Sequence, residues 1–213
     1  LLERREDPAT EEKAGILRAL GVEVFLGPHA PEMLDGAREI VVSPGVSAGC
    51  PVFAWAREKG LPLAGEMEWA SRRFDGKLVA VTGTNGKTTT TALIAHLLNE
   101  NGVPAAACGN IGTPLAQVIL SEQIPQIAVA EVSSFQLETA ETFHPAVSLF
   151  LNFTPDHLDR HASLNEYWLA KLRIYKNQGR GDWALFHSAL GDRLRPLLEA
   201  KDVSCGAFGL DAD

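Results

Sequence analysis

An apolar run, Leu78-Val-Ala-Val-Thr82, breaks into Gly83-Thr-Asn-Gly86 and then enters a helical pattern at Lys87-Thr-Thr-Thr90. Few stretches restrict a fold more. A strand that ends in a glycine turn and feeds a helix N-terminus aims backbone N–H groups and the positive end of the helix dipole at one point, where Lys87 adds a full charge. Such a loop binds phosphate, and Thr88, next after the lysine, is placed to offer its hydroxyl to Mg²⁺. The usual spacing is G-x-x-x-x-G-K-[ST], and Val81 stands where the first glycine belongs, so the loop is a variant. Gly83, Thr84, Asn85, Gly86, Lys87, Thr88 and Thr89 are the residues it offers to a nucleotide. A glycine-rich turn with a surface lysine is the plainer reading of the same residues.

Around this stretch, strands alternate with helices. Before it, Thr10 to Leu20 carries Ile16, Leu17 and Leu20 at helical spacing and is followed by Gly21, a C-cap glycine. Short strands are expected at Val22–Phe25, Glu39–Val42 and Leu61–Ala64, with helices at Pro51–Lys59 and Glu66–Arg73. The second of these strands stops at Ser43-Pro-Gly45, a turn at a strand's carboxyl end, where open α/β sheets place ligands. Turn chemistry at Arg72-Arg-Phe-Asp-Gly76 then marks a boundary between residues 1–75 and 76–213.

Beyond it, the helix Thr88–Glu100 is expected to bury Ala92, Leu93, Ile94, Leu97 and Leu98. Strands at Val103–Cys108, Ile127–Ala130, Ala146–Leu151, Trp183–Phe186 and Val203–Phe208 are separated by helices at Pro114–Ser121, Leu164–Gln178 and Asp192–Ala200. Continuous apolar runs of this kind are buried on both faces of a parallel sheet. The fold class is α/β with a mainly parallel sheet.

Composition narrows the partners. Of 213 residues, 46% are hydrophobic and 22% charged, as in ordinary globular proteins. A net charge of −8 argues against a general binder of nucleic acid or membrane surface, so a phosphate ligand is held locally. No apolar run approaches the roughly 20 residues of a membrane span. Three widely spaced cysteines, Cys50, Cys108 and Cys205, favour a reduced, cytoplasmic protein over a disulfide framework or zinc site. The chain starts without methionine and stops just after a strand, and reads as part of a longer protein.

Several residues can carry chemistry. Glu131 ends a buried strand at the position from which nucleotide hydrolases hold Mg²⁺ opposite the phosphate loop, although a helix cap would look the same. The segment Asn152 to His161 gathers Asp156, His157, Asp159, Arg160 and His161 behind another strand. Neutral imidazole is a common metal ligand, and His157 is the better candidate of the two histidines. Asn110, between Gly109 and Ile111-Gly112, presents a donor and an acceptor to a polar substrate or is simply tolerated in a left-handed turn. On a helix, Leu164, Tyr167, Trp168, Lys171, Ile174 and Tyr175 share one face, which puts Lys171 in an apolar stripe. Such a lysine snorkels, finds an anion, or loses its charge and becomes nucleophilic.

In this order, Val81–Thr88, Gly109-Asn-Ile-Gly112, Glu131-Val-Ser-Ser-Phe-Gln-Leu-Glu138, Asp156-His-Leu-Asp-Arg-His161 and Ala170-Lys-Leu-Arg-Ile-Tyr175 resemble the Mur ligase family. These are the ATP-dependent enzymes that assemble the peptide of peptidoglycan. Within the family, the residues after Glu131 are most similar to the D-glutamate-adding branch, and Ser43-Pro-Gly45 suits it too. The resemblance implies a small Rossmann-like domain for a UDP-sugar over residues 1–75 and a P-loop ATPase-type domain over 76–213, as a cytoplasmic monomer. It implies that ATP phosphorylates the carboxylate of UDP-N-acetylmuramoyl-L-alanine and that the amine of D-glutamate attacks the acyl phosphate. Lys87 and the loop would hold the ATP phosphates, and Thr88 and Glu131 one Mg²⁺. His157 and an N-carboxylated Lys171 would hold a second Mg²⁺. Asn110 and Ser133 would face the muramoyl-alanine, and Gly45 the uridine nucleotide end.

The family's opening strand and glycine turn, and its C-terminal domain, are absent from the sequence, so the chain alone is expected not to catalyse ligation. Arg5 would be a remnant of the nucleotide contact. Alternatives are another Mur-type or folylpolyglutamate-type ligase, a P-loop module without ligation, and a non-enzymatic UDP-sugar binder.

Overall fold

A computed structural model describes residues 1–47, 49–156 and 160–210. By their contacts these form two units, one of residues 1–40 and 48–62 and one of residues 41–47 and 63–213.

In the first unit, β1 (Leu2–Glu3) pairs in parallel with β2 (Phe25–Leu26), and α1 (Pro8–Ala19) connects them. Asp7 caps α1 by accepting from the Thr10 N–H at 2.8 Å. Gly21 ends it with φ +83, and the N–H of Val22 returns to the carbonyl of Leu17 at 3.0 Å, the expected glycine stop. Ile16 and Leu20 are exposed, and Ala14 is the buried residue of the helix. α2 (Pro51–Glu58) buries Val52 and Ala56. β3 (Ile40–Val42) pairs with β4 (Leu63–Gly65), and all of these residues except Ile40 are in the second unit.

α3 (Glu66–Ser71) belongs by its contacts to the second unit, together with the rest of segment 63–75 that turn chemistry alone assigns to the first domain. Met67, Ala70 and Phe74 pack with Leu115, Leu137 and Phe143 in the main core. An apolar helix face has the same spacing whichever core receives it, and therefore does not reveal its partner.

The larger unit is built on a six-stranded sheet. Its strands are β5 (Lys77–Thr82), β6 (Ala105–Gly109), β7 (Ile127–Glu131), β8 (Val147–Phe150), β9 (Trp183–His187) and β10 (Ser204–Phe208). The order is β10-β9-β8-β5-β7-β6, and every neighbouring pair is parallel. Ala80, Val81, Ala128, Val129 and Ala130 are buried, as sheet strands covered on both faces require.

α4 (Lys87–Glu100) corrects the expected apolar stripe. Leu93 and Leu97 are 52% and 51% exposed, whereas Thr91 and Ala95 are buried and Ile94 and Leu98 pack against Val79, Val81 and Val129. Small residues let the helix lie close on the sheet, and the larger leucines at the neighbouring angle are left outside. α5 (Leu115–Ile119) is shorter than expected, and α6 (Ser134–Glu138) is an element that periodicity did not announce. α7 (Leu164–Leu172) gives way to a 3₁₀ turn at Arg173–Tyr175 instead of running to Gln178, and Leu164 lies at its exposed end. α8 (Gly191–Glu199) precedes β10. Among the described residues, no helix is long and apolar enough to cross a membrane.

Candidate functional site at the carboxyl ends of β5, β7 and β8

The chain leaves β5 for the sheet edge, returns through β7, and then crosses to β8 on the other side of β5. Ligands of open α/β sheets bind at such a reversal, where loops diverge to opposite faces. The expected phosphate loop, residues 83–86, emerges there between β5 and α4. Gly83 and Gly86 adopt φ +150 and +82, and a Cβ on Gly83 would meet that of Leu151 at 3.1 Å. Both glycines are therefore required by the turn.

Strand register places the carboxylate. Val81 lies opposite Glu131, and Glu131 opposite Gly109. Glu131 is 2% exposed and uses its two oxygens on different partners. Thr88 Oγ1 donates to Oε2 at 2.7 Å, and Asn110 Nδ2 donates to Oε1 at 2.9 Å. Two residues named from sequence, Thr88 and Asn110, thus meet around the carboxylate of a third. Gly109 makes this possible: its φ is +100, and a Cβ there would sit 2.3 Å from the carbonyl oxygen of Glu131. Gly109→Ala is expected to cost about 2 kcal/mol or more by strain and overpacking, and to separate Asn110 from Glu131. An unchanged melting temperature would count against that.

Lys87 Nζ donates to the carbonyl of Thr84 at 2.8 Å, folded over its own loop. Lys171 Nζ donates to the neighbouring carbonyl, that of Gly83, at 2.9 Å, and lies 4.7 Å from the centre of the Tyr167 ring. At 1% exposure Lys171 does not snorkel. Burial pushes its pKa down to about 7, the Lys87 charge adds to this, and Asp156 and Glu131 oppose it. Near neutral pH a large share of this amine is uncharged and nucleophilic.

Ser133 caps α6: its hydroxyl accepts from the Gln136 N–H at 3.2 Å, and Gln136 Oε1 returns to the Ser133 N–H at 3.0 Å. The signal for this helix was present as Ser133-Ser-Phe-Gln136, with glutamine in place of the more usual glutamate. His161 is buried, with Ser134 Oγ 2.9 Å from its Nε2 and its ring stacked on Phe135, a structural role. Gly45 lies in an exposed turn in which the Val46 N–H donates to the Ser43 carbonyl. Arg160 donates to the carbonyl of Pro44 at 3.1 Å, tying that turn to the segment after β8. Asn85 at the tip of the phosphate loop is exposed, as is Thr89 in the first turn of α4. His157 lies outside the described residues.

One contributor escaped the sequence reading. Asn152, directly after β8, holds the loop through its side-chain amide. Thr84 Oγ1 donates to the Thr154 carbonyl at 3.1 Å and lies 3.4 Å from the Tyr167 hydroxyl. The position of Asn152 at the end of a buried strand, like that of Glu131, was the available signal.

Residues 81–212 match the Mur ligase middle domain. The chain belongs to the Mur ligase family. A UDP-N-acetylmuramoylalanine--D-glutamate ligase from Desulfatibacillum aliphaticivorans is 45% identical over 185 residues, covering 85% of this chain and 41% of that protein. One of the same name from Nitratidesulfovibrio vulgaris is 40% identical over 223 residues, covering 100% of this chain and 49% of its own length. The chain thus spans under half the length of these Mur ligases. Among solved structures, the UDP-N-acetylmuramate:L-alanyl-gamma-D-glutamyl-meso-diaminopimelate ligase from Neisseria meningitides superposes with a TM-score of 0.61 at 18% identity, over 98% of this chain and 69% of that one. MurF ligase from Thermotoga maritima, solved in complex with ADP, gives 0.53 at 21% identity over 83% and 49%. These likenesses establish the Mur ligase fold.

Proposed function

We propose that the chain is the nucleotide-binding part of an ATP-dependent ligase that joins D-glutamate to UDP-N-acetylmuramoyl-L-alanine. The observation that carries the ATP side is Thr88 Oγ1 at 2.7 Å from the Glu131 carboxylate, at the mouth of a loop that carries Lys87. The amino-acid side is supported by relatives 40–47% identical that bear that activity in their names.

Each residue has a physical task. The first-turn amides of α4 and Lys87 hold ATP phosphates, with Gly83, Thr84, Asn85, Gly86 and Thr89 shaping the cradle. Among the described residues no three His, Cys, Asp or Glu side chains gather to hold a metal. Thr88 and Glu131 nevertheless offer two hard oxygens side by side, which fits Mg²⁺, a cation that takes few protein ligands beside waters and phosphates. When bound, the ion neutralises phosphate charge during transfer. Lys171 without modification does not fit Mg²⁺, since its ammonium form repels a cation and its neutral form offers nitrogen where Mg²⁺ takes oxygen; carboxylation would turn it into an oxygen donor, and His157 is its proposed companion at a second Mg²⁺. Asn110 and Ser133 orient the acceptor carboxylate, and Gly45 contacts the uridine nucleotide end. We assign UDP-sugar binding to residues 1–75 and ATP binding to 76–213, in a cytoplasmic monomer; the three free cysteines suit a reducing compartment.

The deciding experiment incubates the full-length protein with ATP, Mg²⁺, UDP-N-acetylmuramoyl-L-alanine and single amino acids, and follows ADP release and the ligated product. D-glutamate is expected to be preferred. Preference for diaminopimelate, lysine or L-glutamate would move the chain to another ligase of the family, and nucleotide binding without product would leave only a P-loop module.

A further inference from the structure

The tip of the loop is held by the side chain of Asn152, from the end of the neighbouring strand. Asn152 Oδ1 accepts from the N–H of Thr84 at 3.0 Å and of Asn85 at 2.8 Å, while Nδ2 donates to the carbonyl of Asn85 at 2.9 Å. The Asn152 carbonyl also accepts from the Thr84 N–H, at 3.1 Å. Asn152 stands two residues past Phe150, which is in register with Thr82 at the end of β5, so the clamp is anchored in the sheet itself.

Using these amides internally decides which others remain for an anion. Thr84 and Asn85 direct their N–H groups at Asn152, and the first helical bond of α4 runs from the Thr90 N–H to the Gly86 carbonyl at 3.0 Å. The N–H groups of Lys87, Thr88 and Thr89 are those that a helix start leaves without an intrahelical partner. A loop tip that moved would carry Gly86 and this first turn with it.

We propose that Asn152 is a positioning residue that locks the loop tip to β8 and so presents the α4 amides and Lys87 to phosphate before a nucleotide arrives. Pre-organisation of this kind lowers the ordering cost of binding. Only a side-chain amide suits the place. It supplies two acceptor lone pairs and a donor at once, whereas a carboxylate has no donor and adds a negative charge next to phosphates. The effect on nucleotide affinity rests on the ATP reading; the clamping itself does not.

Two readouts on the 213-residue chain separate these. Amide hydrogen exchange followed by NMR is expected to show Asn85 exchanging at least about tenfold faster in Asn152→Ala, with Thr84, whose N–H keeps the backbone carbonyl of residue 152, less affected and the β5 amides unchanged. Titration with a fluorescent ATP analogue and Mg²⁺ is expected to show affinity weakened by about tenfold or more. Asn152→Asp, which keeps both acceptors, is expected to retain amide protection yet lose affinity, and it covers the case in which the alanine variant folds poorly. Unchanged exchange at Asn85 in Asn152→Ala would overturn the clamp. Faster exchange with undiminished affinity would overturn the positioning role alone. Absence of nucleotide binding by the unsubstituted chain would overturn the ATP reading and the positioning role, leaving the clamp to the exchange result.

Discussion

Lys87→Ala is expected to weaken binding of Mg²⁺-ATP by about two orders of magnitude, while the fold is retained. A charge-assisted hydrogen bond to phosphate contributes about 1.5–3 kcal/mol, and each 1.4 kcal/mol is about a factor of ten in affinity. The structural loss is smaller. Lys87 is the first residue of α4, where alanine is a good helix former, and its ammonium contacts one loop carbonyl, that of Thr84. Removing the Lys87 charge also relieves Lys171, whose pKa Lys87 helps to depress, so the Lys171 amine in the variant titrates higher. Titration with a fluorescent nucleotide, alongside circular dichroism on heating, checks both halves. Equal affinity in the variant would remove the loop from nucleotide binding and favour a UDP-sugar binder instead.

The second large effect lies away from the site. Glu68, fully buried on α3, accepts from the backbone N–H groups of Glu141, Thr142 and Phe143 at 2.9–3.1 Å, from the Thr142 hydroxyl at 2.6 Å and from Arg72 at 2.8 Å. Burial alone would raise its pKa, and the hydrogen bonds from Thr142, Arg72 and Phe143 outweigh it, leaving the carboxyl below its ordinary value of 4.5. Glu68→Ala strands these donors and is expected to cost about 3–5 kcal/mol, lowering the melting temperature by about 10 °C. A carboxyl with a lowered folded pKa adds stability above the unfolded value, and that stability is lost as pH falls through the folded one. The unsubstituted chain should therefore lose stability on acidification through and below the ordinary carboxyl range, with a smaller loss in the variant. Glu68→Gln, which keeps one acceptor, should fall between them. Parallel pH profiles for the two chains would refute the assignment.

Much of this site could be read before any fold was known, for a local reason. A phosphate loop is a contiguous stretch, and its glycines, lysine and threonine act through backbone geometry that neighbouring residues determine. Glu131 was legible for a related reason, since an apolar run ending in a carboxylate shows both the buried strand and its open end. The segment that carries Lys171 was legible as a helix face with a cation in it. Leu93 and Leu97 were misread because small residues and leucines alternate around α4, and hydropathy ranks leucine first although the sheet receives Ala95 and Thr91. Glu68 was invisible, because the backbone N–H groups it accepts from lie more than 70 residues later in the chain.

By itself, the sequence determined the α/β class and the glycine-lysine loop between β5 and α4, because each rests on a short-range pattern of strand, turn and helix. Tertiary structure decided the rest. Only the strand order β8-β5-β7 brings Asn152 and Glu131 to opposite sides of the loop, and only burial against the sheet turns Lys171 from a cation on an apolar stripe into an amine that titrates near neutrality. Register and desolvation arise from contacts between residues far apart in the chain, and no local periodicity records them.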